Sequence, residues 1–413
     1  MRALALTLLL ATANALAQDD DAAALALPGE SAAASRGGDL HAFVEPAWTD
    51  SQLRDGSSQR GERLSFDLHY DGGLAPGWRA LFSDRLDLRW QDVFSRQSNV
   101  NTLKEAYLSW QFRQEGIADL GRVNARYGVA YGYNPTDYFR ANAVRSIVSI
   151  DPASLRENRL GSVMGRGQAL WTGGSFTALY SPKLSDQPST APFDADLGAT
   201  NGQARWLLAA SQEISRGFSP QWLLQGGAGQ SPQLGLNLAV LASDAAVAFV
   251  EWSGGRSPSL LSRALGLPED AAFRSRLATG LTYTTSYKLS LTLEYQYNGA
   301  GLDQQNWDAL RLGPQPAYGA YRSYVANLQD PPTKQRIFFR AAWQDMLMNH
   351  LDLASNVYFD TVDSSRQVWI EARYHWTRVD AALQWQRSSG SPGSEYGALL
   401  LQQAWQVLAR YFF

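Results

Sequence analysis

The 413 residues carry 36 Lys and Arg against 39 Asp and Glu, a net charge of −3 that argues against a nucleic-acid partner. The chain has no cysteine, which excludes a disulfide-stapled scaffold and thiolate metal sites. Lys stands only at 104, 183, 288 and 334, leaving 36 − 4 = 32 arginines, planar cations suited to oriented sites.

In chain order, "MRALALTLLLATANALA" places Arg2 before an apolar run that ends in Ala15-Leu16-Ala17. This predicts a signal peptide over 1–17 with cleavage after Ala17. Residues 18–38, "QDDDAAALALPGESAAASRGG", are small, polar and low in complexity. They read as a flexible periplasmic leader, a tether or a dock for a periplasmic partner. From 39 to 413 there is no linker and no change in composition, so one architecture runs to the end.

That architecture has a period of two. In "YKLSLTLEYQYN", Leu289, Leu291, Leu293, Tyr295 and Tyr297 share one face, and Ser290, Thr292, Glu294, Gln296 and Asn298 share the other. "RLSFDLHYD" and "VWIEARYHW" repeat the pattern. Strands are predicted at 39–49, 62–72, 78–92, 102–113, 119–127, 160–171, 175–183, 204–214, 221–230, 233–242, 246–253, 273–284, 287–298, 335–345, 351–360, 367–377, 378–388 and 397–413. Pro46 in the first forfeits a ladder donor and is read as marking a bulge.

Such strands suit a soluble sandwich or a membrane barrel. Three features favour the barrel. Trp78 and Trp90 share a face twelve residues apart, about 30 Å in height on a tilted strand, which suits rings at both edges of a hydrocarbon layer. The long gaps (128–159, 184–203, 254–272 and 299–334) all follow odd-numbered strands, whereas the other rim has only tight turns. Third, "AWQVLARYFF" ends on Phe413, with Trp405, Val407, Ala409 and Tyr411 on its face. This resembles the C-terminal signature of bacterial outer-membrane barrels, which implies recognition of Phe413 by the barrel-assembly machinery. A membrane helix over 234–250 is excluded, because Ser243-Asp244 interrupts it with a turn.

The expected fold is therefore all-β: a single-chain antiparallel transmembrane β-barrel of about 18 strands, with 16 as the alternative. Its long loops are extracellular and its short turns periplasmic. The architecture resembles the alginate-export type of outer-membrane channel, and "YNPTD" resembles a step found in porin-like families. Those resemblances imply passive movement of anionic polymers or oligomers.

The third long-side connection, 128–159, opens with "YGYNPTDYFR", in which Tyr131, Tyr133, Asn134, Asp137, Tyr138 and Arg140 crowd an Asn-Pro turn. A solvated loop gains nothing from so many rings, so this segment is read as a constriction loop folded into the barrel. The alternative is an aromatic loop lying on the extracellular rim. Wall positions expected to face inward include Asp67, Arg85, Asp87, Arg89, Arg122, Asn124, Arg126, Arg166, Arg340 and Arg373, with Glu105, Glu251, Glu294 and Asp352. Two readings of these arginines stand open: a cationic passage that favours anions, and a satisfied network of pairs with neighbouring acids.

The function expected is an outer-membrane channel, in a Gram-negative bacterium, for passive passage of small or oligomeric, anionic, hydrophilic solutes. The alternative is a polysaccharide-export barrel working with a periplasmic machine. An outer-membrane hydrolase ranks below both: His41, His69 and Asp67 could converge, but no Ser stands at a nucleophile elbow. Expected partners are outer-membrane lipid and lipopolysaccharide, the assembly machinery and the permeant. No cofactor, metal or catalytic residue is expected. Asp186, Asp194, Asp196 and Asn201 cluster in a segment read as a solvated loop in preference to a calcium site.

Overall fold

A computed structural model describes residues 39–90 and 98–413. The expected signal peptide (1–17) and leader (18–38) lie outside the described residues. In chain order the strands are β1 (Leu40–Leu53), β2 (Ser58–Ala75), β3 (Trp78–Trp90), β4 (Asn99–Arg113), β5 (Gly116–Val123) and β6 (Ser162–Trp171). Next come β7 (Gly174–Ser181), β8 (Arg205–Gln212), β9 (Gln221–Gly227), β10 (Gln230–Ser243), β11 (Ala246–Ser257) and β12 (Ala272–Thr284). The last are β13 (Leu289–Asn298), β14 (Gln335–Trp343), β15 (Leu351–Asp360), β16 (Arg366–His375), β17 (Val379–Ser389) and β18 (Leu401–Phe412). The described helices all sit in long connections: α1 (Pro152–Glu157), α2 (Leu197–Thr200), α3 (Leu260–Leu265), α4 (Gln304–Leu312) and α5 (Gln315–Leu328).

Each strand pairs antiparallel with its neighbours in sequence. β1 pairs with both β2 and β18, so the 18-stranded sheet closes on itself. Closure leaves no edge with unpaired amides and carbonyls, a condition for any sheet surrounded by hydrocarbon. Among the described residues no helix is long and apolar enough to cross a membrane, so any crossing belongs to the strands.

The faces are inverted relative to a soluble core. On β13, Leu293 and Tyr295 are exposed, while Thr292, Glu294, Gln296 and Asn298 are buried. On β3, Trp78 and Trp90 are exposed at the two strand ends, with Arg85, Asp87 and Arg89 buried between them. Trp78 stacks on Trp110 of β4 at 5.4 Å between ring centroids. Trp405, Val407, Tyr411 and Phe413 are likewise exposed. An apolar belt outside and charge inside is the pattern a lipid-embedded barrel requires.

All eighteen predicted strands are present, with boundaries within four residues of those expected. Three details differ. Pro46 marks no bulge: the register from Glu45↔Ser65 through Ala47↔Arg63 is unbroken, and β1 keeps one register with β18 on either side of it. A register shift falls instead on β4 opposite Ser83 and Asp84, where Lys104 is the extra residue. It resets the alternation, so that Lys104 turns inward beside Asp67 while Glu105 meets the amide of Asn124. Finally, β5 ends at Val123, so Asn124 and Arg126 belong to the following connection and not to the wall.

The belt predicts a depth-dependent cost for charge. Leu293→Arg in mid-strand should destabilise the barrel by about 2–4 kcal/mol, and Leu40→Arg at a strand end by about 0–1 kcal/mol. Equilibrium denaturant unfolding in lipid vesicles measures both, and equal costs would contradict the depth assignment.

Candidate solute pathway

The connection 124–161 leaves the β5–β6 side and reaches the inner face of strands on the far side of the sheet order. Its first half is bound through its own backbone. The amides of Val129 (3.0 Å), Ala130 (3.1 Å) and Thr136 (2.8 Å) donate to the Glu251 carboxylate on β11. Those of Tyr131 (2.9 Å), Gly132 (3.1 Å) and Tyr133 (3.0 Å) donate to Glu294 on β13. Both carboxylates are fully buried. A buried anion is tolerable when several N–H groups converge on it, and such charge-assisted bonds are about twice as strong as neutral ones. Two glycines allow the approach. Gly128 has φ +106°, and a Cβ there would sit 2.6 Å from the Glu251 oxygens; a Cβ on Gly132 would sit 2.6 Å from Phe338.

The rings and charges of the Asn-Pro turn then find partners one by one. The Asn134 carboxamide donates to Ala130 O (2.7 Å) and Glu251 (3.1 Å). The Thr136 hydroxyl lies 2.8 Å from both Glu251 and Asn237. Asp137 takes two bonds from Arg159, at 2.7 and 3.1 Å. The Tyr133 hydroxyl donates to Asp330 (3.1 Å), which also pairs with Arg140, and the Arg140 guanidinium lies 5.0 Å over the Tyr133 ring. Tyr138 and Ser253 share a hydroxyl contact at 2.9 Å, and the Tyr131 ring packs edge-on to Phe249. Burial alone would raise the Asp330 carboxyl, but Arg140 and Arg276 beside it hold it below the ordinary carboxylate range.

The second half runs along the remaining wall. Ser146 bonds Asp87, and Arg89 of β3 donates to Ile147 O at 2.9 Å. Asp151 caps α1 at the Ser154 amide and accepts from Arg340 (3.1 Å) and Asn356 (2.7 Å) on β14 and β15.

The arginines of the wall are mostly paired. Glu45 is a hub for Arg63 (2.8 Å), Arg85 (3.2 Å) and Arg410 (2.8 Å). Arg85 also reaches Asp87 (3.0 Å), Lys104 holds Asp67 (2.8 Å), Arg166 pairs with Asp119 (2.7 Å) and Arg373 with Glu371 (2.9 Å). Arg122 donates to the carbonyls of Leu103 (3.3 Å) and Ala195 (2.5 Å). Asn124 accepts from Arg159 (2.7 Å), whereas Arg126 is exposed. Most of these guanidinium groups are buried beyond reach of a solute, but Arg410, Arg166 and Arg373 keep 27%, 20% and 15% of their side chains exposed.

The proposed convergence of His41, His69 and Asp67 is not formed. His41 and His69 stack at 6.5 Å, but Asp67 is taken by Lys104 and Arg85, and His375 lies between Asp352 (3.3 Å) and Asp380 (3.0 Å). Sequence reasoning had Glu251 and Glu294 facing inward but missed that they hold the loop, because their partners are main-chain amides that no side-chain pattern announces. It also missed Glu45, although the alternation His41, Phe43, Glu45, Ala47 pointed to its face.

No family model matches this chain, and neither does any curated protein. Solved structures do. OccAB1 of Acinetobacter baumannii matches with a TM-score of 0.56 at 10% identity, covering 91% of this chain and 96% of that one. The outer membrane protein OpdK of Pseudomonas aeruginosa gives 0.55 at 8% identity over 91% and 99% of the two chains. OpdQ of the same organism gives 0.54 at 11% over 91% and 99%. The likeness is one of fold.

Two outcomes follow from the anchoring. Glu251→Ala would strand three backbone donors, so hydrogen exchange at Val129, Ala130 and Thr136 should speed by at least about tenfold, with a smaller effect for Glu251→Gln. The Asp330 clasp should depend on acid. Its folded value lies below its unfolded one, near 4, so its stabilisation is complete above about pH 4 and lost as pH falls further. Proteolytic nicking at 133–140 should therefore rise only below about pH 4, and Asp330→Asn should abolish that acid step.

Taken together, the closed 18-stranded sheet, its apolar exterior and its charged interior give this chain the porin-like fold of an outer-membrane β-barrel.

Proposed function

We propose that the chain is an outer-membrane channel for passive passage of small hydrophilic solutes, with a preference for anions. In this reading a signal peptide cleaved after Ala17 directs export, Phe413 is read by the assembly machinery, and the exposed belt contacts lipid and lipopolysaccharide. The observation that carries it is the connection 124–161, bound to carboxylates on β11 and β13 and to polar side chains of β3, β14 and β15. A segment tied at so many points would narrow the passage and stay in place as solutes move by it. Arg410, Arg166 and Arg373 on the wall and Arg126 in the connection retain exposure and would be among the cations a solute meets, and they support the anion preference. The same crossing segment weighs against threading of a long polysaccharide, so small solutes are favoured over a polymer.

In planar bilayers under a salt gradient the purified barrel should give unitary currents with a reversal potential on the anion-selective side. Arg410→Gln with Arg373→Gln removes two cations, each worth about 1 kcal/mol at roughly 4 Å in water. The anion-to-cation permeability ratio should therefore fall by about fivefold or more. A barrel that seals the bilayer without current would overturn the channel reading, and an unchanged ratio would overturn the assignment of these two arginines.

A further inference from the structure

The connection 390–400 joins β17 to β18 on the rim that carries the long connections. Its backbone carbonyls are well held. Arg54 donates to Tyr396 O (2.7 Å) and Leu399 O (2.8 Å), and from α5 Tyr318 donates to Gly393 O (3.0 Å) and Arg322 to Glu395 O (3.0 Å). The side chain of Glu395 instead meets acids: Asp360, the last residue of β15, and Asp363 in the turn 361–365. Both aspartates already have the donors an anion needs. Asp360 is fully buried and accepts from the Thr333 hydroxyl and from the amides of Val362 (2.8 Å) and Asp363 (3.0 Å). Asp363 accepts from the amides of Ser365 (2.9 Å) and of Glu395 itself (2.6 Å).

The Glu395 carboxyl has less. Its Oε1 lies 3.5 Å from Arg336 of β14, longer than the roughly 2.7–2.9 Å of a charge-assisted bond. That guanidinium is also engaged elsewhere, donating to Gln296 (2.6 Å) and to the Tyr396 hydroxyl (3.1 Å). The other oxygen, Oε2, is buried with no donor among the described residues. Arg322 does not help, because it is spent on the Tyr318 hydroxyl and on the carbonyls of Ser394 and Glu395. The remaining titratable neighbours are the phenols of Tyr321 on α5 and Tyr396. Three carboxyl groups therefore stand together with Arg336 as the one cation at ion-pair distance among the described residues.

We infer that Glu395 is neutral in this arrangement and donates to Asp360, so that one shared proton latches the connection 390–400 to the turn 361–365 and an alkaline medium loosens it. A protonated carboxyl carries an O–H, which gives the bare Oε2 a role and replaces repulsion between two acids with a hydrogen bond. The Asp360 carboxylate lies within hydrogen-bond reach. Burial pushes the Glu395 carboxyl well above the ordinary range, and Asp360 and Asp363 add to the rise while Arg336 opposes it. In a released loop the same carboxyl titrates near 4. The latch is therefore complete below about pH 4 and weakens by about tenfold per pH unit above it, until the latched value is passed.

The latch goes beyond the passage reading, and its test needs no current. The amides of Glu395 and Tyr396 report on it directly, since their acceptors are Asp363 and Ser365 in the facing turn. In the full-length barrel in detergent micelles, their hydrogen-exchange protection factors should fall by about tenfold or more between pH 5 and pH 7. Glu395→Gln carries a carboxamide that donates to Asp360 at every pH, so its protection should stay flat over that range. At pH 6 the parent should show the infrared carbonyl band of a neutral carboxyl that Glu395→Gln lacks. Asp360→Asn presents a donor to Glu395, lets it ionise, and should remove the same band. Flat protection in the parent, or no such band, would make Glu395 an anion paired with Arg336 and overturn the inference. A pH slope that persists in Glu395→Gln would belong to another group and overturn it equally.

Discussion

A strand in hydrocarbon has no water to satisfy its amides and carbonyls, and each unmet group costs several kcal/mol. The whole molecule follows from that constraint. The sheet must close, and it does so through the pairing of β1 with β18. Closure divides every strand into an outer row that meets lipid and an inner row that does not. The exposed Leu293, Trp78 and Trp405 belong to the first, and the buried Glu294, Arg85 and Glu251 to the second.

Turning the polar faces inward transfers the problem without removing it. Arginine and carboxylate rows a few ångströms apart need partners as badly as backbone groups do. Along β1 to β4 and β16 to β18 they find one another, with Glu45 serving three arginines. On the opposite side Glu251 and Glu294 have no arginine within ion-pair distance among the described residues, and six amides of the crossing segment take that place. The segment thus both crosses the inner side of the barrel and supplies the N–H donors that its acidic wall needs. Its aromatic residues pack against that wall and carry the chain past it.

The strands were legible because a strict two-residue period needs only local sequence, and Trp-flanked, alternating segments state both length and face. The β4 register shift was not legible: "NTLKEAYL" alternates acceptably in either parity, and only pairing with β3 shows that Lys104 is the inserted residue. The end of β5 was misplaced because Asn124 and Arg126 continue the polar alternation after the ladder has stopped at Val123. The ring-rich turn "YGYNPTDYFR" betrayed an unusual environment, yet its anchors could not be read. Hydrogen bonds from amides to a carboxylate more than 100 residues away leave no mark on composition or period.

The absence of cysteine makes the central claim directly accessible, since single cysteines can carry a nitroxide label at adjacent positions of one strand. Labels at Leu293→Cys and Thr292→Cys in barrels reconstituted in lipid vesicles can be relaxed by oxygen, which partitions into acyl chains, or by a charged nickel chelate, which stays in water. The account predicts strong oxygen and weak chelate relaxation at 293, with the ratio falling at 292 and the same alternation recurring along β13. Equal accessibility of the two positions, or a lipid signature at 292 and not at 293, would contradict a barrel whose apolar row faces the membrane.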